Sequence, residues 1–229
     1  MFQKTIGGTS LRSNLIHDQF FGEHNKTLTI IDDYNIIDIK DGAVDFYIES
    51  FEGVGVTNID IYFQVKKISE ERRQEINNLA HMYGLDSNKL LCYCVFVKKG
   101  FPKWRPIKEL VFSQNPSEKV DKALYFINSM ANIGITITLH PYSSLNFNPP
   151  FHGRYWLTEE KGYIVDASMQ TYGSGLIFAQ LMDAENFDII KRQLFDIHIK
   201  NKANEFEPLT KKDLHDIRYR VNPYHYLER

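Results

Sequence analysis

The residues best suited to chemistry fall in one stretch, 151–170, which holds His152, Arg154, Glu159, Ser168 and Gln170. Residues 155–158 read as a strand, Lys161-Gly162 as a turn and 163–165 as the returning strand, so the segment predicts a β-hairpin. The two ends of a hairpin lie side by side, which brings His152 and Arg154 near Ser168 at one mouth. An imidazole, a cation with forked donors and a hydroxyl gathered there suit a phosphate: a nucleophile or base, a charge clamp and a neutral donor.

His152-x-Arg154-x4-Glu159, followed by Ala167-Ser168 and Gln170, resembles the His-x-Lys-x4-Asp and Gly-Ser-x-Asn signature of the phospholipase D superfamily. A variant with His-x-Arg, a hairpin turn, a small residue and Ser, known from small bacterial members, is closer still. The resemblance extends to 26–34, similar to the strand that opens such a domain, and to 135–139, similar to the strand that leads into the motif. About residues 26–200 are covered, and the motif is the specific part. The resemblance implies a metal-independent phosphodiesterase with no cofactor. One His152 attacks phosphorus, and a second His152, from the other copy in a homodimer, protonates the leaving oxygen. Arg154, Ser168 and Gln170 stabilise charge on the phosphate, and Glu159 orients or buffers a histidine. Single-motif cytoplasmic relatives favour nucleic acid as substrate, with bacterial defence as a role by analogy. Arg for Lys, Glu for Asp, Ala for Gly and Gln for Asn are departures from the family pattern. They leave a second reading open: a catalytically inactive module that binds nucleic acid, phosphate or a protein partner.

Composition bounds these readings. The chain has 229 residues, 43% apolar and 24% charged, which fits an ordinary globular domain and excludes disordered and fibrous classes. A net charge of -2 supplies no general basic field, so a nucleic acid must be met by a local patch. The basic, aromatic loop at 98–106, with Lys103, Trp104 and Arg105, is such a patch; the other reading is a proline-stiffened surface loop with Trp104 in the core. The last helix carries a cationic face of Lys211, Lys212, Arg218 and Arg220, for a polyanion or for solvent. Cys92 and Cys94 stand two apart in an apolar run, read as reduced thiols on one face of a strand, and a lone Cys-x-Cys makes no zinc site. The first residues contain no continuous apolar leader and no run is long enough to span a membrane, so a cytoplasmic protein is expected.

The elements that must position the hairpin follow from periodicity. Strands are expected at 28–33, 44–48, 59–65, 90–97, 135–139 and 176–181. Asp32-Asp33 ends the first strand, either as a metal or acid/base pair or as a solvated turn. Gly53-Val-Gly55 lacks the third glycine of a phosphate loop and reads as a turn. A helix starts at Ser69 and ends at Gly84 with Ile76, Leu79, Ala80 and Tyr83 on one stripe; a second starts at Ser117 with Val120, Ala123, Leu124, Ile127 and Ala131 inward. His140 follows the strand at 135–139 and could face the same cleft as His152, or be structural. A helix carrying Phe187, Ile190 and Leu194 follows the last strand. The expected fold is α/β, a phospholipase D-like mixed sheet flanked by helices in a single domain at 26–200, with an N-terminal arm at 1–25 and a C-terminal helical appendage at 201–229.

Overall fold

A computed structural model of the chain describes residues 3–6, 25–32, 36, 39, 41–65, 68–98, 107, 114–143, 153–166, 177–203 and 206–221. In chain order the described elements are β1 (Gln3–Ile6), β2 (Thr27–Ile31), α1 (Asp41–Phe51), β3 (Asn58–Val65), α2 (Glu70–Tyr83), α3 (Ser87–Lys98) and α4 (Gln114–Asn132). They continue with β4 (Thr136–Ser143), β5 (Arg154–Leu157), β6 (Gly162–Val165), β7 (Ile177–Leu181), α5 (Ala184–Ala203), β8 (Leu209–Thr210) and α6 (Lys211–Val221). The strands form one mixed sheet in the order β1-β7-β6-β5-β2-β3-β4-β8. β2, β3 and β4 run parallel, and the remaining pairings are antiparallel. The fold is therefore α/β with a mixed sheet flanked by helices in a single domain, as the alternation of elements predicts.

Strand alternation sorts the sheet into two faces. Ile59, Ile61 and Phe63 of β3 point into the larger core with α1, α2, α3, α4 and α6, whereas Tyr62 joins a smaller cluster with Ile190 and Ile197 of α5. A sheet covered on both faces reads as a continuous apolar run, which is why β3 shows apolar residues at successive positions. The α2 boundaries follow their sequence signals. Ser69 caps the start by accepting from the Arg72 N–H, and Gly84 ends the helix at φ 61, donating to Ala80 and His81 carbonyls. Only glycine adopts that left-handed backbone without strain.

Two expected strands are helices. Residues 44–48 lie in α1 and 90–97 lie in α3. In α3 all eight side chains from Leu90 to Val97 are buried, so the helix is apolar on every side and carries no amphipathic stripe to separate it from a buried strand. In α1 the buried set Ala43, Val44, Phe46, Tyr47, Ser50 and Phe51 has helical spacing, which shows only once the window extends past residue 48. Cys92 and Cys94 are consequently on a helix rather than one face of a strand, yet both are free, buried thiols. Burial pushes the Cys92 thiol up to about 12 and raises Cys94 further, so neither is a thiolate nucleophile.

Other boundaries shift. α4 begins three residues before Ser117, and Ala131 is exposed, while Phe126 and Met130 supply core contacts beside Val120, Ala123 and Ile127. β4 runs on to Ser143 rather than ending at Leu139. Pro141 is accommodated because β8 pairs only at Thr138 and Leu139, leaving β4 an edge strand beyond them. The described terminal elements join the sheet and core: β1 pairs with β7, β8 pairs with β4, and Leu209, Leu214 and Ile217 are core residues. α5 also runs through the expected boundary at residue 200.

Candidate functional site

The hairpin forms as its sequence predicts. β5 and β6 pair with Arg154 opposite Val165, Tyr155 opposite Ile164, Trp156 opposite Tyr163 and Leu157 opposite Gly162. Thr158 closes the turn: its N–H donates to the Lys161 carbonyl at 2.8 Å, and its Oγ1 accepts from the Lys161 N–H at 3.0 Å. β5 in turn pairs with β2, Tyr155 opposite Ile31 and Trp156 opposite Ile30. Trp156 anchors the strand to the core, its ring 6.5 Å from Tyr47 of α1, which itself meets Phe126 of α4 edge-on at 5.1 Å.

That register sets Arg154 beside Asp32, the residue following β2. The Arg154 Nε lies 3.6 Å from Asp32 Oδ1, and Arg154 Nη1 donates to the Asp166 carbonyl across the hairpin. Asp32 is 1% exposed, whereas the Arg154 side chain is 32% exposed. A buried carboxylate behind a partly open guanidinium fixes the direction in which the cation points. Asp32 is therefore a counter-ion for Arg154 rather than a solvated turn residue, and the backbone N–H of Asp32 donates to the Tyr62 carbonyl at 3.2 Å. Its partnership was invisible in sequence, because 122 residues separate the two positions and only the β2–β5 pairing joins them.

Glu159 sits in the turn, at the end of the hairpin opposite Arg154. Its Oε1 accepts from the N–H groups of Thr27 at 2.8 Å and Lys26 at 3.2 Å, at the start of β2. Three strand steps, about 10 Å, already separate Arg154 from Leu157, and Glu159 lies further still. Glu159 thus ties the hairpin turn to β2, while His152, the histidine it was expected to orient, lies outside the described residues. Lys191 of α5 adds a second tie, donating to the Glu159 carbonyl at 2.6 Å.

His140 is embedded in the sheet itself. It is inside β4, 8% exposed, with Nε2 2.9 Å from Asp60 Oδ1. Its ring stacks on Tyr62 at 4.6 Å, and the Tyr62 hydroxyl meets His198 Nε2 of α5 at 2.6 Å, the two imidazoles standing 5.6 Å apart. This group lies on the α5 face of the sheet with Tyr62 and Tyr142, while Arg154, two positions before Trp156 on β5, shares the face toward α1, so His140 and Arg154 are on opposite faces of the sheet. Burial, then the Asp60 carboxylate, raises the Tyr62 hydroxyl; burial, then His140, holds His198 below its usual value against the opposing Asp60. Period-two alternation in β3 could have paired Asp60 with Tyr62 on one face, but nothing in the sequence brings His198 to them.

His152, Ser168, Gln170, Lys103, Trp104 and Arg105 lie outside the described residues. Among the described residues no group of three or more His, Cys, Asp or Glu side chains could hold a metal ion, and no helix is long and apolar enough to cross a membrane. The chain matches no protein-family model and no curated protein.

Proposed function

We propose that the chain is a phospholipase D-like phosphodiesterase that cleaves nucleic acid without a metal, through a phosphohistidine on His152 in a homodimer. The observation that carries this is the mouth of the β5–β6 hairpin, where Arg154 is aimed by buried Asp32 and by the Asp166 carbonyl. His152 precedes Arg154 by two residues and Ser168 follows Asp166 by two, so the motif's nucleophile and hydroxyl belong to the same end of the hairpin in sequence. The chemistry is a displacement at phosphorus. The neutral imidazole of one His152 forms an N–P bond as the P–O bond breaks, and His152 of the second copy gives its proton to the departing oxygen. Water, deprotonated by that second imidazole, then cleaves the N–P bond and restores both histidines. Arg154 offsets the charge gathered on the non-bridging oxygens, with Ser168 and Gln170 as neutral donors. The helix-flanked mixed sheet agrees with the fold that the resemblance implies.

One observation favours the second reading, an inactive phosphate-binding module: Arg154 already contacts a carboxylate and a carbonyl, which competes with a substrate phosphate for the guanidinium. Cleavage separates the two. Supercoiled plasmid, single-stranded DNA, RNA and a chromogenic phosphodiester are incubated in excess EDTA with wild type, His152→Ala and Arg154→Ala. The enzyme reading expects cleavage by wild type and a loss of about a thousandfold or more in His152→Ala, which still binds nucleic acid. Absence of cleavage with retained, Arg154-dependent binding gives the module instead.

A further inference from the structure

α4 and α6 pack side by side and leave two adjoining hollows that the hairpin mouth does not use. The first, of about 550 Å3, is lined from α4 by Asp121, Tyr125 and Asn128 and from α6 by Lys211, His215 and Arg218, with Tyr219 at its side. Its volume is within the range of small-molecule sites, about 300–1,000 Å3. The second, of about 340 Å3, has an apolar floor of Ile127, Ile135 and Ile137. Lys211 and His215 line both, so a cationic junction stands between an aromatic hollow and an apolar one.

The charges in the junction are not all committed. Arg218 is neutralised by Asp121 through two bonds of 3.1 Å, and Lys212 by Asp216 at 2.5 Å. The Lys211 ammonium makes no hydrogen bond or ion pair among the described residues, and the side-chain amide of Asn128 makes none either. Tyr125 is 55% exposed, and its ring makes no aromatic contact among the described residues. Tyr219 packs on His215 with centroids 4.0 Å apart, so the junction imidazole is held in place. A large ring exposed to water beside an uncommitted ammonium matches what an unpaired nucleotide needs, a stacking face and a phosphate contact. Flat base faces suit both hollows, and the phosphate between two bases suits the junction.

We propose that the α4–α6 cleft binds single-stranded nucleic acid as a dinucleotide unit. One base stacks on Tyr125, the next lies against Ile127 and Ile135, and the linking phosphate meets Lys211 and His215. The site is separate from the hairpin mouth and does not depend on catalysis there. In the full chain it would hold a strand independently of whether the mouth cleaves it.

Fluorescence anisotropy with a short labelled oligothymidylate tests this in a His152→Ala background, which leaves the strand intact, comparing that protein with versions that also carry Tyr125→Ala, Lys211→Ala or Arg154→Ala, each checked by thermal melting. Tyr125 and Lys211 are exposed, so both variants should melt as their parent does. Each is expected to weaken binding about tenfold, and Lys211→Ala also to reduce the salt dependence by the equivalent of about one phosphate contact. Arg154→Ala removes the contribution of the hairpin mouth, and the binding that remains is expected to depend on Tyr125 and Lys211. Adenosine monophosphate and ribose 5-phosphate are included as competitors, the nucleotide expected to compete better. The proposal is overturned if the oligonucleotide does not bind, if Tyr125→Ala and Lys211→Ala bind as their parent does, or if Arg154→Ala alone abolishes binding. Capture of adenosine monophosphate without oligonucleotide overturns the strand assignment.

Discussion

Arg154 and Asp32 form a pair in which one charge is buried and the other is partly open, and the pair is asymmetric in consequence. Replacing Asp32 with Asn removes the counter-charge but keeps the shape. The loss of stability should be about 1–2 kcal/mol, less than for a fully buried ion because Arg154 can turn to water. Cleavage should fall further than that stability change implies, since a guanidinium without its carboxylate is no longer aimed; denaturant melts beside EDTA cleavage rates measure both. His198 gives a second residue-scale prediction. Its folded value lies below the ordinary 6.5, so the unfolded chain takes up the proton first. The stability that neutral His198 contributes is complete above the unfolded value and is lost as pH falls from there through the folded one. His198→Gln, which keeps an acceptor for the Tyr62 hydroxyl, should lose less stability than wild type between about pH 7 and pH 5, as thermal melts across that range would show. An unchanged slope would remove His198 from the pH response.

The β5–β6 hairpin is the element whose geometry matters most, and it is held at both ends by different devices. At the mouth the tie is ionic, and at the turn Glu159 accepts from two backbone N–H groups of the β2 start. Glu159→Ala should therefore cost about 1–2 kcal/mol in denaturant melts while the cleavage rate of the folded protein is nearly unchanged. A loss of rate comparable to His152→Ala would return Glu159 to the chemistry. Gly162 is packed so that an added Cβ would lie 2.8 Å from atoms of Leu157, Met182 and Phe187. Gly162→Ala should destabilise the hairpin's seat on α5 by about 1–3 kcal/mol, as overpacking does. The hairpin itself was legible in sequence because turn residues and β-formers alternate sharply within a dozen positions. α2 was legible for a similar reason, with Ser69 and Gly84 as local caps. α3 was not, because a helix buried on every side lacks the contrast that periodicity needs. The Arg154–Asp32 and His140–Asp60 pairs were beyond sequence reasoning because each joins distant segments through strand pairing.

Across the whole molecule, the terminal segments close the fold rather than decorate it. Lys89 of α3 donates to the Pro208 carbonyl at 2.5 Å and to Asp213 at 3.2 Å, and Arg220 of α6 donates to the Gly84 carbonyl that ends α2. Leu209, Leu214 and Ile217 fill the core from the same segment. A chain ending at residue 200 should expose that core and fail to melt cooperatively, as circular dichroism would show; a cooperative melt would restore the segment to an appendage. The most direct test of the proposed chemistry is intact-mass spectrometry of the protein quenched under alkaline conditions during a single turnover of a phosphodiester in EDTA. The expected result is a covalent phosphoryl adduct mapped to His152 and absent from His152→Ala. Turnover with no adduct, or with an adduct on another residue, would contradict the proposed role of His152.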